Sequence, residues 1–404
     1  MSEQHPVRPL DGIRVLDVAT FIAAPFCATL LAEFGAEVIK VELPGSGDPL
    51  RRFGTVTECG ETLPWLSESR NKKSVTLDLR TREGAELFKR LVEKADVVCE
   101  NFQTGTLEGW GLGWETLHAL NRRLVMLRIT GYGQTGPYAG RPGFGRIANA
   151  FGGLAFLAGY PDRPPVTPGS ATLPDYMSGL FGAFGVLLAL RARERTGEGQ
   201  MIDIGLYESV FRVLDELAPR YDLDGFVRQR MGPGTVNTVP HSHYRTQDDR
   251  WVAIACTSDK IFERLARLMG VPELAGEGRF GTVGQRQAAR QEVDAMVMAW
   301  TERHERDALL ALCEEAQVPC GPVYAIDEIF DDPQYAARGN LAEVADPRLG
   351  RPLRFPDVFP RLSATPGRLD HLGQALGAHT EDVYRDLLEL SEAEIAALKA
   401  IQVI

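Results

Sequence analysis

The 404-residue sequence lacks the cysteine patterns of disulfide frameworks, metal sites and redox motifs. Its six cysteines are scattered, with no C-x-x-C pair and no histidine at metal-ligand spacing beside them. We therefore expect reduced thiols, with Cys27 and Cys99 buried as small apolar side chains. His241 and His243 in PHSHY could chelate a metal, but no acidic or thiol ligand adjoins them, and we predict no metal site.

Signals for membranes and for nucleic acid are also missing. The first residues, MSEQHPVRPLDG, have no cationic segment followed by an apolar one, so we expect no secretory signal and a cytoplasmic location. Residues 180–190 form an apolar run that stops at RARER, whereas a membrane-spanning helix needs about 20 apolar residues. The net charge of −11 argues against nucleic acid as a partner, because phosphate neutralisation needs a cationic surface.

The nucleotide-binding glycine motifs are absent as well. The turn after the first predicted strand reads ATFIAAPF, without the glycines of a dinucleotide-binding loop, although Glu42 ends the second strand where an acidic residue would hold a ribose. The phosphate-binding pattern G-x-x-x-x-G-K-[ST] does not occur either. These absences disfavour an oxidoreductase with a dinucleotide cofactor and a P-loop nucleotide hydrolase.

What is present is an alternation of buried strands and helices. Strands are predicted at residues 12–19, 36–42, 73–79, 96–101 and 124–133, with helices between them. The first β-α-β unit is about 30 residues long, which indicates a parallel sheet with a right-handed crossover. We predict an α/β fold in which a Rossmann-like, doubly wound large domain is accompanied by a smaller α+β domain.

The domain boundaries follow from changes along the chain. Residues 136–174 are rich in glycine and proline and are expected to form long loops at the carboxyl edge of the sheet. A hairpin is predicted around QDD, within a small domain of residues 225–325. Residues 1–224 form the large domain, and residues 326–404 are predicted to return to it and complete it.

Charged and polar loops at the strand ends suggest a ligand with phosphate groups. The clusters DPLRR at 48–52 and SRNKKS at 69–74 flank neighbouring strands, and ENFQTG at 100–105 and TGYGQTGP at 130–137 follow two others. Open α/β sheets bind their ligands at this edge. Solvated surface charge and ordinary turns are the alternatives for these segments.

Asp175 precedes the apolar run in TLPDYMSGLFGAFG. Aspartate is a favoured N-cap residue, so local rules predict that Asp175 caps the helix. A helix start would also keep the carboxylate ionised, because the helix dipole favours negative charge there.

Nine segments in order resemble the family III CoA-transferases, which include formyl-CoA transferase, carnitine CoA-transferase, succinyl-CoA:glutarate CoA-transferase and the α-methylacyl-CoA racemases. Those segments are LDGIRVLDVATFIAAPF, LLAEFGAEVIKVELPGSGDPLR, RNKKSVTLDL, ADVVCENF, ITGYGQTGP, LPDYMSGLFGAFGVLLAL, RTGEGQMIDIGLYESV, VPCGPVY and LGAHTEDV. The resemblance implies an interlocked homodimer and no permanently bound cofactor, with acyl-CoA and a small carboxylic acid as substrates. It also implies that Asp175, in a D-x-x-x-G segment, is the catalytic nucleophile, which passes through an aspartyl anhydride and an aspartyl-CoA thioester.

Further site residues are carried over from the family position by position. The implied CoA contacts are Phe21, Ile22, Ala23, Arg51, Asn71, Lys72, Lys73, Leu77, Asn101, Phe102 and Gln103. The candidate acid-binding residues are Tyr132, Gly133, Arg146, His241 and His243, with Arg245 beside them. The distal carboxylate of a dicarboxylic acid needs a cation in the pocket. Arg146 is the first candidate because its loop stands where the racemases have their catalytic loop.

Departures from the family pattern narrow the activity. Phe144 stands where the racemases have a histidine, and no histidine occurs between His118 and His241, so the second base of a racemase is missing. Thr20 and Ile22 replace polar residues of formyl-CoA transferase. The pattern resembles the succinyl-CoA-dependent enzymes, and malate, citramalate, mesaconate or glutarate are the expected acceptors. Carnitine, aryl-acid or formyl-CoA:oxalate transfer and a non-catalytic CoA-binding subunit are the alternatives.

Overall fold

The structure is a computed structural model and describes residues 7–404. Its strands are β1 (Arg14–Asp17), β2 (Glu37–Glu42), β3 (Lys72–Thr76), β4 (Val97–Glu100), β5 (Val125–Thr130), β6 (Met201–Gly205), β7 (His241–Arg245), β8 (Trp251–Ala255), β9 (Cys320–Pro322), β10 (Leu341–Val344) and β11 (Leu353–Pro356).

The helices lie between and after these strands. They are α1 (Ala23–Glu33), α2 (Leu63–Glu68), α3 (Arg82–Val92), α4 (Thr106–Gly109), α5 (Trp114–Leu120), α6 (Gly145–Phe151), α7 (Leu154–Leu157), α8 (Leu173–Thr196), α9 (Leu206–Arg212), α10 (Leu217–Asp224), α11 (Asp259–Met269), α12 (Val283–Ala288), α13 (Arg290–Thr301), α14 (Arg306–Glu315), α15 (Ile326–Asp331), α16 (Pro333–Arg338), α17 (Thr380–Leu388) and α18 (Glu392–Ala400). Short 3-10 helices cover Pro49–Arg52 and Pro272–Leu274.

A six-stranded parallel sheet in the order β3-β2-β1-β4-β5-β6 organises the larger part of the chain. Neighbouring residues of one strand enter different cores: Val15 joins a core with α1 and α8, whereas Leu16 joins one with α3, α5 and α17. Apolar cores on both faces are what a doubly wound sheet requires. The predicted α/β fold with a parallel sheet is therefore confirmed.

The described chain divides into two compact units. The first comprises residues up to Ala155, Thr167–Phe226 and Arg338–Ile404, and the second comprises Phe156–Val166 and Val227–Ala337. These units differ from the predicted division at 224 and 325 in that residues 156–166 join the smaller unit, which also extends to 337. The predicted domains, with residues 1–224 and 326–404 forming the large one and residues 225–325 the small one, stay a prediction.

The second unit is built on an antiparallel sheet. Its order is β7-β8-β9, and the β7–β8 hairpin turns at the predicted QDD segment. Helices α11, α13 and α14 contribute to its own core, which includes Phe262, Val297 and Leu309. An antiparallel sheet covered by helices is the predicted α+β arrangement.

The helix α8 is central to the first unit. By length and composition it is the single helix within residues 7–404 that could cross a membrane, and 44% of its apolar window is buried. It packs on α1, β5 and β6. A Cβ on Gly179 would lie 2.5 Å from the carbonyl oxygen of Ala23, so glycine at this position lets α8 approach α1 closely.

Candidate active site

Asp175 lies in the first turn of α8 but does not cap it. The N-cap is Thr172, and the Asp175 amide donates to the Thr172 carbonyl oxygen at 3.0 Å, while no side chain makes a cap hydrogen bond. The prediction that Asp175 is the cap is therefore wrong. The helix starts earlier because Pro174 has the fixed φ of a first-turn residue.

Gly145 makes room for the Asp175 carboxylate. The residue begins α6, and a Cβ there would lie 2.2 Å from Asp175 Oδ2 and 2.5 Å from the carbonyl oxygen of Ala171. No other amino acid could occupy this position without displacing the carboxylate. The sequence reasoning missed Gly145, because residues 136–174 were predicted as loops and a glycine in a glycine-rich loop carries no signal of a close approach.

The surroundings of Asp175 favour its neutral form. Burial raises the pKa of its carboxyl to about 6, and the opposing effect comes from its own backbone amide. Within residues 7–404 no lysine or arginine pairs with this carboxylate. The helix start therefore does not hold the pKa low, as the sequence suggested, because desolvation outweighs it. At pH 7 about nine-tenths of the groups are still ionised, since the pH lies about one unit above the pKa.

A cavity of about 400 Å³ opens in front of Asp175 at the carboxyl edge of the sheet. Residues that follow β1, β4 and β5 line it together with the loop before α6. They are Thr20, Phe21, Ala23, Asn101, Phe102, Gln103, Thr104, Ile129, Thr130, Gly131, Ala139, Arg141, Pro142, Gly143 and Phe144, with Leu206. The strand order reverses between β1 and β4, and open α/β sheets bind ligands at this switch point.

A second cavity of about 260 Å³ shares Thr20 and Phe102 with the first. It lies at the ends of β1, β2 and β3, and its lining includes Leu77 and Trp110. Arg52 and Arg80 supply cationic side chains to it. The two cavities are therefore neighbours at this edge of the sheet, with Asp175 lining one and the two arginines lining the other.

The loop between β1 and α1 separates the two cavities and is tightly held. The Asn101 side chain accepts from the Thr20 amide and donates to the Thr20 carbonyl, both at 2.7 Å. The Phe21 amide donates to Asp48 Oδ1 at 3.1 Å, and Phe21 has a φ of 60°. A phenylalanine with this φ is strained, so the surrounding contacts must fix it.

Buried charges under this loop provide that support. Lys40 lies between Asp48 Oδ2 at 2.9 Å and Asp17 Oδ1 at 3.6 Å, and it donates to the Ala19 carbonyl. Lys72 pairs with Asp17 Oδ2 at 2.9 Å and donates to the Pro25 carbonyl at 2.7 Å. The alternating charges offset the cost of burying each one.

The structure brings some of the predicted CoA contacts together and not others. Phe21, Ala23, Asn101, Phe102 and Gln103 line the Asp175 cavity, and Leu77 lines the second cavity. Ile22, in contrast, is buried in a core with Leu50 and Trp65.

The predicted basic residues are occupied elsewhere. Arg51 is buried, pairs with Glu42 at 2.7 Å and with Glu61, and stacks on Trp65 with its guanidinium carbon 3.6 Å from the ring centre. Lys72 is in the buried network, and Lys73 pairs with Glu37 at 2.6 Å. The Asn71 side chain holds backbone groups at residues 368, 370 and 371. Neither cavity is lined by any of these four side chains.

The predicted acid-binding residues also lie apart from the cavity lining. Tyr132 packs with Tyr138, Phe151 and Tyr207 in an aromatic cluster, and the Gly133 amide donates to Thr130 Oγ1 at 2.9 Å. Arg146 donates to Thr167 Oγ1 at 3.2 Å. His241 and His243 belong to β7 in the second unit, so their role stays a prediction, as does that of Arg245.

Arg141 and Arg80 line the cavities but were not selected by the sequence reasoning, whereas Arg52 belongs to the DPLRR cluster that it named as a possible phosphate contact. Arg141 was overlooked in favour of Arg146 because both occur in one predicted loop, and only the fold shows which of them lines the cavity. As for metals, the part of the chain from residue 7 onward holds no group of three or more His, Cys, Asp or Glu that could bind an ion.

Comparison with known proteins extends over the whole chain. The sequence model of a family described as CoA-transferase family III matches residues 10–380. The chain is 54% identical over 397 residues to the beta subunit of succinyl-CoA–L-malate CoA-transferase from Chloroflexus aurantiacus, covering 98% of each protein. It is 48% identical over 404 residues to succinyl-CoA–D-citramalate CoA-transferase of the same organism, covering 100% of each.

A solved structure shows the same fold. The crystal structure of a CAIB/BAIF family protein from Brucella suis superposes with a TM-score of 0.81 at 38% sequence identity, over 94% of this chain and 99% of that one.

Proposed function

The chain belongs to CoA-transferase family III and is a CoA-transferase, and from that premise we propose that it moves CoA from succinyl-CoA to a dicarboxylic acid with Asp175 as nucleophile. The observation that carries the proposal is a partly buried carboxylate without a cationic partner that lines a cavity at the switch point of the sheet. CoA thioesters are substrates of such an enzyme and leave as products.

The first half of the reaction transfers CoA to the enzyme. An Asp175 oxygen attacks the thioester carbonyl, the C–S bond breaks, and CoA thiolate leaves a mixed anhydride between Asp175 and the succinyl group. The thiolate then attacks the Asp175 carbonyl carbon, which releases succinate and leaves an aspartyl-CoA thioester. A desolvated carboxylate without a cationic partner suits this attack, because no ion pair has to be broken first.

The second half reverses these steps with the acceptor. The acceptor carboxylate attacks the Asp175 carbonyl carbon, and CoA thiolate leaves a new mixed anhydride. The thiolate attacks the acyl carbon of the acceptor, so that the new acyl-CoA forms and Asp175 is released as carboxylate. No proton has to be transferred at any step, which is consistent with a site that offers one reactive carboxyl and no histidine in its lining.

The two neighbouring cavities suggest how CoA is oriented. The thioester end belongs in the Asp175 cavity, and the phosphate end belongs in the second cavity, where Arg52 and Arg80 lie. The part of the CoA molecule between these two ends would pass Thr20 and Phe102, which line both cavities. Succinyl-CoA as donor and a four- or five-carbon dicarboxylate such as malate, citramalate, mesaconate or glutarate as acceptor are supported by the relatives' names.

A homodimer is proposed from the apolar surface of the chain. Large side chains stand exposed on and next to α8 and α6, which is unusual for a monomer's surface. They are Phe144, Leu180, Phe184, Leu188 and Phe211, each at least half exposed. A homologous second subunit in place of an identical one is the alternative, since the relatives include alpha and beta subunits. A cytoplasmic location is proposed because all six cysteines are free thiols.

The test of the nucleophile is covalent trapping. The protein is incubated with succinyl-CoA and hydroxylamine, and peptides are examined by mass spectrometry. A hydroxamate on Asp175 is the expected result. An unmodified Asp175 in enzyme that turns over would disprove the aspartyl route. A panel of carboxylic acids with succinyl-CoA as donor tests the acceptor class, and transfer only to monocarboxylic acids would contradict the proposal.

A further inference from the structure

We propose that Arg141 determines specificity for dicarboxylic acyl groups by binding their distal carboxylate in the Asp175 cavity. This inference rests on the proposed function, since it concerns the acid that Asp175 attacks or accepts. It replaces Arg146, the residue that the sequence suggested, with another arginine of the same predicted loop.

The first argument is position. Arg141 lines the cavity that contains Asp175, whereas Arg146 does not and donates to Thr167 Oγ1 instead. The cations of the CoA-binding end, Arg52 and Arg80, lie in the second cavity. The cavity in front of the nucleophile is therefore lined by a single arginine, and its place is next to the acyl group and not next to the phosphates.

The second argument is that the guanidinium of Arg141 is available. Arg80 is held by Asp78 in two hydrogen bonds, and Arg51 by Glu42 and Glu61. No carboxylate among the described residues pairs with Arg141. Its guanidinium carbon lies 3.7 Å from the centre of the Tyr138 ring, which leaves the edge donors free. An arginine stacked on a ring can still form two parallel hydrogen bonds with a carboxylate.

The third argument is that the loop carrying Arg141 is fixed. Gln103 Nε2 donates to the Gly140 carbonyl at 2.7 Å. On the other side of Arg141, a Cβ on Gly143 would lie 2.7 Å from the Cα of Gly131, so the backbone of the loop packs directly on the end of β5. The Arg141 backbone is thus anchored on both sides. A fixed cation discriminates between substrates because their charge must reach it.

The test compares acyl donors that differ only in the distal carboxylate. The value of kcat/KM is measured for succinyl-CoA and for butyryl-CoA in the wild type, Arg141→Gln and Arg141→Lys. We expect Arg141→Gln to lower the succinyl-CoA preference by about 10- to 100-fold, since a hydrogen bond to a charged group is lost. The butyryl-CoA value should hardly change. Arg141→Lys should recover part of the preference, and most of the loss should appear in KM.

Arg163→Gln is the matched control. Arg163 follows Tyr160 as Arg141 follows Tyr138, stacks on that ring at 5.6 Å, and lines neither cavity. Its variant should keep the wild-type preference, and thermal unfolding should show that all variants are folded.

Each other outcome overturns the inference in a recognisable way. A wild type that uses butyryl-CoA as well as succinyl-CoA overturns both the proposed substrate class and the role of Arg141. A wild type that prefers succinyl-CoA, with the preference intact in Arg141→Gln, overturns the role of Arg141 alone. An equal loss of kcat/KM for both donors in Arg141→Gln would mean that Arg141 binds CoA itself. A loss of kcat/KM for succinyl-CoA alone in Arg146→Gln would mean that Arg146 binds the distal carboxylate.

Discussion

Asp48 and Asp175 are two carboxylates beside the same pair of cavities, and each stands at the start of a helix, but their surroundings are opposite. Asp48 caps the 3-10 helix Pro49–Arg52, accepts from the amides of Leu50 and Phe21, and pairs with Lys40. Asp175 does not cap its helix and has no cationic partner among residues 7–404. The carboxylate that local sequence rules would assign to structure is the one we propose as the nucleophile.

The difference shows how the fold assigns roles to identical side chains. Asp48 Oδ1 accepts from the Phe21 and Leu50 amides and Oδ2 lies 2.9 Å from the Lys40 ammonium, so this carboxylate holds the structure around the β1–α1 loop. Burial without partners leaves Asp175 with a raised pKa and a free oxygen lone pair. Substitution of Asp175 should therefore change turnover, whereas substitution of Asp48 should change the free energy of unfolding.

The largest expected effect is on turnover in Asp175→Asn. The amide cannot form the anhydride, so kcat should fall by about 10⁴-fold or more, as for the loss of other nucleophiles. The surface variant Asp386→Asn, on α17, should remain as active as the wild type. Steady-state transfer from succinyl-CoA measures both, and substantial turnover in Asp175→Asn would refute the role of this residue.

Asp48→Asn should instead affect folding. Lys40 would lose a buried partner, and an uncompensated buried charge costs about 3–5 kcal/mol. Urea denaturation followed by circular dichroism gives the loss in the free energy of unfolding. Glu86→Gln, which breaks an exposed pair with Lys89, should change it by less than about 0.5 kcal/mol. Similar values for the two variants would mean that the buried network does not stabilise the loop.

Gly145→Ala should reduce activity without an equal loss of stability. The added methyl group would displace the Asp175 carboxylate, and a misplacement of about 1 Å can lower kcat by about 100-fold. Gly109→Ala is the control, because a Cβ there has nothing within 4 Å. If kcat is unchanged in Gly145→Ala, the contact between Gly145 and Asp175 does not position the nucleophile.

The pH dependence should report the raised pKa of Asp175. Only the carboxylate attacks, so kcat/KM should rise with pH, level off above about pH 6, and fall about tenfold per unit well below it. A half-maximal value near pH 4 would indicate a carboxyl with an ordinary pKa.

The smallest effect is a gain in stability for Asp175→Asn at high pH. Because the folded-state pKa is raised above the unfolded value, ionisation of Asp175 opposes folding once the pH exceeds about 4, and fully so above about 6. Removing the charge should stabilise the fold by about 2–3 kcal/mol at pH 8. The difference between variant and wild type should vanish near pH 4. A variant that is less stable at pH 8 would show that Asp175 has a stabilising partner.

The strands of the parallel sheet could be predicted from the sequence, because runs such as RVLD and EVIKVE are buried on both faces and need no partner to be recognised. The order of the strands was not predicted, because β4 pairs with β1 and not with β3, the strand that precedes it in the chain. Local rules predicted only a helix cap for Asp175, and its selection as the candidate nucleophile came from the resemblance of its D-x-x-x-G segment to the family III CoA-transferases.

The residues that surround Asp175 could not be predicted in the same way. Arg141 lies in the loop before α6 and Arg146 in the first turn of α6, and only the fold shows that Arg141 lines the cavity whereas Arg146 does not. Arg51 and Lys72 looked like surface cations, and the fold places them in ion pairs below the cavities. The carboxylates that pair with Arg51 and Lys72 lie on other elements of the fold. The residues next to these two cations in the sequence therefore do not reveal their partners.

By itself, the sequence determined the strand and helix pattern, the parallel sheet and the candidate nucleophile, because burial periodicity and segment order are local properties. The tertiary structure decided that Asp175 is a desolvated carboxylate and Asp48 a structural one. The physical reason is that a carboxyl group's pKa and availability depend on what packs around it. Gly145, from another helix, and Lys40, from the strand before Asp48, set those surroundings.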